Sequence, residues 1–125
     1  MSKKRIMIVD DEAPFTRLLK LSLEQTGEYV VQLENDPRKA ICGAKQFSPD
    51  LLLMDVMMPG MDGGTLAAEF QASETLRGVP IVFLTAAVKR DEVRAHAGSI
   101  GGLPFLAKPV DLAELAQCIR RHLPV

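Results

Sequence analysis

Leu51-Leu52-Leu53-Met54-Asp55 begins the stretch that decides the fold, and Val56-Met57-Met58-Pro59-Gly60-Met61-Asp62-Gly63 completes it. Four apolar residues with no polar break suit a strand buried on both faces, as in a parallel sheet covered by helices on each side. An acid ends the run, Pro59 and Gly60 supply a turn, and Asp62-Gly63 can cap a following helix. Three further runs end in the same manner: Ile6–Val9 into Asp10-Asp11, Ile81–Leu84 into Thr85, and Phe105–Ala107 into Lys108-Pro109. Parallel strands all point one way, so their polar ends collect along one edge, where open α/β sheets bind ligands. Three carboxylates, a hydroxyl and an ammonium gathered there describe a site for a divalent cation and a phosphoryl group.

Between these runs the pattern changes to amphipathic segments. Arg5–Asp10 reads as strand one, and Glu12–Thr26 as a helix with Phe15, Leu18, Leu19, Ser22 and Leu23 as its inner stripe. Tyr29–Glu34 is more polar, as an edge strand should be. Asp36-Pro37 opens a helix reaching about Phe47. Asp50–Asp55 is strand three, and a helix runs from Asp62 or Gly63 to Ser73. Pro80–Thr85 is strand four, Lys89–Ala97 a short fourth helix, and Leu103–Lys108 strand five. The last helix extends from Asp111 to His122, with Asp111 and Glu114 at capping-box spacing and Leu112, Leu115, Ala116, Ile119 and Leu123 as its stripe. This (βα)5 alternation predicts one α/β domain over residues 1–125, a parallel five-stranded sheet with right-handed crossovers and helices on both faces.

Composition narrows the function. With 47% apolar and 25% charged residues, the 125-residue chain fits a globular domain. A net charge of −1 provides no general field for nucleic acid or an anionic membrane. Only four apolar residues separate Lys3-Lys4-Arg5 from Asp10, too few for a signal peptide or a membrane span, so a cytoplasmic location is expected. Cys42 and Cys118 lack metal-ligand spacing and read as buried free thiols. His96 and His122 read as surface residues away from the acidic edge, and Met54, Met57, Met58 and Met61 as packing.

Asp10-Asp11 alone could be helix-capping acids. Asp55 changes that reading, because clustered carboxylates must take up protons or bind a cation. Oxygen ligands favour Mg²⁺, or Mn²⁺ in its place. Asp55 can then act as a nucleophile toward phosphorus once the accumulating charge is neutralised. Thr85 can donate its hydroxyl to a phosphoryl oxygen, and Lys108 can serve as counter-ion and phosphate clamp. Lys108-Pro109 is the kind of bond that can be cis.

Together these residues resemble the receiver domain of bacterial response regulators, over essentially the whole chain. The motifs are Asp10-Asp11, Asp55 with Met58-Pro59 and Asp62-Gly63, Thr85-Ala86, and Lys108-Pro109. The resemblance implies a flavodoxin-like three-layer sandwich with strand order 2-1-3-4-5. It implies a signalling switch of a two-component system, in which Asp55 accepts phosphate from a sensor histidine kinase or a phosphotransfer protein. Asp11 and Asp55 look like direct Mg²⁺ ligands together with the backbone carbonyl of Met57, Asp10 acting through water. Thr85 and Lys108 look like the phosphoryl-binding groups. On phosphorylation Thr85 would move inward and Phe105 would change rotamer, altering the face made by the fourth helix, strand five and the last helix for a downstream protein or output domain. The domain would catalyse only its own phosphorylation and dephosphorylation. Whether it stands alone, belongs to a longer regulator or pairs with a second copy stays open.

Three departures stand out. Met57 and Ala87 are apolar where many relatives place polar groups near the attacking water. Phe105 lacks the hydroxyl of a common tyrosine, and Gly101-Gly102-Leu103-Pro104 is an unusual approach to strand five. Two other classes compete with the switch. An aspartate-dependent phosphohydrolase would resemble Asp-x-Asp on strand one and would need a substrate-enclosing cap. A phosphorylation-independent, receiver-like binding module would not need all five key side chains.

Overall fold

Strand β1 (Lys4–Val9) leaves no accessible surface on Ile6, Met7, Ile8 or Val9, which places it in the sheet interior. It pairs in parallel with β2 (Tyr29–Glu34) on one side and β3 (Leu51–Asp55) on the other. Strand β4 (Ile81–Thr85) continues from β3, and β5 (Leu103–Ala107) from β4, again in parallel. The strand order is therefore 2-1-3-4-5, as the resemblance implied. The computed structural model describes residues 3–86, 99–100 and 103–123. The expected helix over Lys89–Ala97, together with Ala87, His96, Gly101 and Gly102, lies outside them.

Alternation along each strand separates two cores. Met7, Val9, Leu52, Met54, Phe83 and Phe105 face the side covered by α2 (Ala40–Phe47) and α3 (Gly63–Ala72). Ile6, Ile8, Leu51, Leu53, Val82 and Leu84 face α1 (Ala13–Gln25) and the C-terminal helix (Leu112–His122). Because successive side chains point to opposite faces, only a continuously apolar strand can serve both cores. Among the described residues, no helix is long and apolar enough to cross a membrane.

Several local expectations need correction. On α1, Leu18 is 62% exposed and Thr16 is buried in the inner stripe instead. At about 100° per residue, Leu18 falls more than a third of a turn away from the line through Thr16, Leu19 and Leu23. Leu112 is likewise exposed, and Cys118 takes an inner place. Cys42, expected to be buried, is exposed. The segment after Asp36 begins as a 3₁₀ turn, Pro37–Lys39, before α2 starts. The Asp36 carboxylate accepts from Arg38 N, and its carbonyl accepts from Lys39 N, which tightens the first turn.

Two short pairings had no clear sequence signal. Met57–Met58 and Met61–Asp62 form a small antiparallel hairpin around Pro59-Gly60, with Gly60 at φ +80°, as a type II turn requires. Ser99–Ile100 pairs antiparallel with the start of β5, opposite Pro104 and Leu103. Proline is tolerated there because it lies near a sheet edge.

Candidate functional site

The ends of β1, β3, β4 and β5 meet at one edge, as their shared direction requires. Asp10 is fully buried, Asp55 is 5% exposed and Thr85 is 1% exposed, whereas Asp11 is open to solvent. Asp10, Asp11 and Asp55 each offer a carboxylate oxygen, and the three atoms lie within 4.8 Å of one another. Lys108 reaches the same place from the end of β5. Its Nζ is 2.8 Å from Asp10 Oδ2 and 3.6 Å from Asp55 Oδ2. Its backbone N–H donates to the Thr85 carbonyl at 2.9 Å, carrying the β4–β5 ladder one step past the strand ends. The Lys108–Pro109 peptide is cis.

Burial and charge crowding determine the electrostatics. Burial, reinforced by the neighbouring Asp10 charge, pushes the Asp55 carboxyl up from 3.8 to about 6, against the opposing pull of Lys108. Asp10 is raised as well, mainly by burial. Burial works against the Lys108 charge, but the pairing with the Asp10 and Glu12 carboxylates outweighs it and holds the ammonium above its ordinary value. Asp10 Oδ2 is buried and, despite the short ion pair, has no hydrogen bond of acceptable geometry. An incompletely satisfied carboxylate in an all-oxygen acidic set fits a hard divalent cation.

The flanking loops are tied to this cluster. Asp10 Oδ1 accepts from Glu12 N at 2.9 Å, and Asp55 Oδ1 accepts a long bond of 3.4 Å from Met57 N. Met57 itself is 66% exposed at the mouth of the site. Asp62 caps α3 by accepting from Thr65 N at 2.7 Å. The next residue, Gly63, donates its N–H to Val56 O at 2.6 Å. A Cβ on Gly63 would overlap the Asp55 carbonyl oxygen and Val56 Cα, both backbone atoms. Gly63→Ala should therefore destabilise the protein by about 2 kcal/mol and displace α3 from the end of β3. Thermal unfolding measures the first effect, and an unchanged melting temperature would show that the helix yields freely.

Two participants escaped the sequence reading. Glu12 lies 2.6 Å from Lys108 Nζ, although adjacency to Asp11 had marked it only as a helix-start acid. Phe15, assigned solely to the α1 stripe, places its ring 4.6 Å from the same ammonium. Phe105 is buried beside Phe83 in the register of β4 and β5. His122 lies in the last turn of a helix that starts at the functional edge and runs to the opposite one. Its Nδ1 is 2.9 Å from the Cys118 carbonyl, which only accepts, so that nitrogen carries the proton.

The family described as response regulator receiver domain matches residues 6–120. Response regulator PleD of Caulobacter vibrioides is 40% identical over 108 residues, covering 86% of this chain and 23% of PleD. The phosphate regulon transcriptional regulatory protein PhoB of Pseudomonas aeruginosa is 34% identical over 123 residues, covering 98% of this chain and 53% of PhoB. The chain thus spans about a quarter of one of these relatives and about half of the other. Among solved structures, the receiver domain of sensor histidine kinase PA1611 from P. aeruginosa, with magnesium coordinated in its active-site cleft, superposes with a TM-score of 0.80 at 30% identity. That match covers 97% of this chain and 98% of the other.

Proposed function

Because the chain belongs to the family of response regulator receiver domains, we propose that it is a phosphorylation-dependent switch whose phosphoacceptor is Asp55. One observation carries this reading: a nearly buried carboxylate ends β3 beside two further acids, with a lysine ammonium paired to it and to Asp10. Such an arrangement stabilises charge accumulating at an attacked phosphorus better than the resting carboxylate cluster itself.

In the proposed reaction an Asp55 oxygen attacks phosphorus as the bond to the donor breaks, a phosphohistidine nitrogen or the acyl oxygen of acetyl phosphate. The product is an aspartyl phosphate. Lys108 pairs with the phosphoryl oxygens, and the Thr85 hydroxyl donates to one of them, drawing the end of β4 inward. Phe105, packed against Phe83 on the neighbouring strand, transmits that movement toward β5. A Mg²⁺ or Mn²⁺ would be held by Asp11, Asp55 and the Met57 carbonyl, with Asp10 acting through water, and would supply charge neutralisation there. The magnesium in the active-site cleft of the PA1611 receiver supports a divalent cation at this site. Hydrolysis returns Asp55, so the domain acts on itself and turns over no external metabolite. A sensor kinase or phosphotransfer protein delivers the phosphoryl group, and a downstream protein or output domain reads the altered surface.

Intact mass after incubation with acetyl phosphate tests the reading. A single phosphoryl adduct with Mg²⁺, absent with EDTA, is expected. Failure to form an adduct, together with failure to bind beryllofluoride, would favour a receiver-like binding module. The lifetime of the adduct depends on the mouth of the site. Met57 offers no polar group there, so Met57→Asn should change the dephosphorylation rate severalfold by orienting water. An unchanged rate would remove Met57 from any part in hydrolysis.

A further inference from the structure

We infer that Asn35 is a positioning residue for the acidic pair, holding the peptide between Asp10 and Asp11 in the orientation that aims Asp11 at the cation. The inference rests on the metal reading above. The β1–β2 ladder ends at Val9 opposite Glu34, after which Asp10 N still donates to Glu34 O at 3.1 Å. The next rung would join the Asp10 carbonyl to a β2 backbone N–H. That rung is not made, because Asp36 N donates instead to the Glu34 side chain at 3.2 Å. The side-chain amide of Asn35 supplies the missing donor, with Nδ2 2.7 Å from Asp10 O.

The same nitrogen donates to Thr16 Oγ1 at 3.1 Å. Thr16 is fully buried, and its hydroxyl gives its own proton to Ala13 O at 3.0 Å. Both partners of Nδ2 are therefore acceptors, which fixes the orientation of the amide. One side chain joins the end of β1, the first turn of α1 and the exit from β2. The Asp10 carboxylate is held separately by Glu12 N and Lys108. What depends on Asn35 is the planar Asp10–Asp11 peptide, whose tilt sets where the Asp11 side chain starts. Outer groups that orient metal ligands typically change affinity by about 10–100-fold when lost.

Mn²⁺ titration followed by electron paramagnetic resonance tests this on the wild type, Asn35→Ala and Thr16→Val, with the melting temperature of each. Asn35→Ala should weaken Mn²⁺ binding about tenfold. Thr16→Val removes the second bond and the threonine's own bond to Ala13 O but spares the one to the Asp10 carbonyl, so it should lower the melting temperature and leave the Mn²⁺ affinity unchanged. Equal affinity in the wild type and Asn35→Ala would overturn the inference while leaving the metal reading intact. Equal weakening in both variants would also overturn it, since the amide would then serve stability alone. If Asn35→Ala does not fold, Asn35→Ser carries the same expectation, because its hydroxyl is too short to reach the carbonyl. Absence of Mn²⁺ binding by the wild type would overturn the metal reading, and the positioning role with it.

Discussion

Asp55→Asn is expected to take up no phosphoryl group from acetyl phosphate at any Mg²⁺ concentration, and to raise the melting temperature of the metal-free protein at neutral pH. The first result follows from chemistry. An amide oxygen still accepts the bond from Met57 N, so the loop geometry survives, but it is not a competent nucleophile toward phosphorus. The second follows from linkage. Folding moves the Asp55 carboxyl from 3.8 to about 6, so the folded state holds this proton more tightly than the unfolded chain. A group raised in this way favours the folded state at pH below its unfolded value, and that contribution is lost as pH climbs through the folded value. At neutral pH the wild type therefore carries a penalty that the neutral amide lacks.

A rise from 3.8 to about 6 corresponds to about 3 kcal/mol. The site lies at a sheet edge open to water, where screening reduces this to about 1–2 kcal/mol. A gain of roughly 3–10 °C is expected, shrinking as pH falls toward 4. Calorimetry in EDTA across that range measures it. A gain that persists at about pH 4 would assign the stabilisation to packing rather than to removed charge, and an adduct on Asp55→Asn would place the phosphoacceptor elsewhere.

The sheet was legible in the sequence because its strands are buried on both faces. A run such as Leu51–Met54 has no polar alternation to confuse its assignment, and the element ends mark themselves with Asp55 or Thr85. Helix faces were harder. Leu18 and Leu19 are equally apolar, and only the packing of α1 on β1 and β2 decides that Leu19 turns inward and Leu18 outward. The small hairpin around Pro59-Gly60 was hidden because two-residue strands have no period to detect. For the site, the five side chains at strand ends could be named from position alone. Glu12, Phe15 and Asn35 could not, since each belongs by pattern to a helix start, a core stripe or a loop. Their contacts depend on loops from different strands arriving at the same edge.

Lys108→Ala exposes the balance those loops maintain. The Lys108 side chain is 10% exposed, and its ammonium lies 2.8 Å from a fully buried carboxylate and 3.6 Å from Asp55. Its loss leaves Asp10 and Asp55 facing each other with no other ammonium or guanidinium paired to either among the described residues. Removing one partner of a buried pair is costly because the other charge stays behind, and about 2–3 kcal/mol is expected at neutral pH for this edge site. The Glu12 contact adds little, because that side chain is 58% exposed. Since the folded-state value of Lys108 is raised, its own contribution is present throughout the neutral and acid range and is lost only when the ammonium deprotonates. The pH dependence of the deficit must then come from the acids. As pH falls through the raised range of Asp55 and Asp10, both take up protons, their repulsion disappears, and the variant should approach the wild type. A divalent cation should act in the same direction at neutral pH, raising the melting temperature of the variant more than that of the wild type, because it replaces a missing positive charge. A deficit independent of both pH and Mg²⁺ would point instead to the lysine stem and its place over Phe15. In that event Lys108 would be chiefly a packing residue at rest, with its electrostatic role confined to the phosphorylated state. Adduct formation discriminates again, because an ammonium that stabilises charge at the attacked phosphorus should cost about 10²-fold in rate when removed, whatever it contributes to the resting fold.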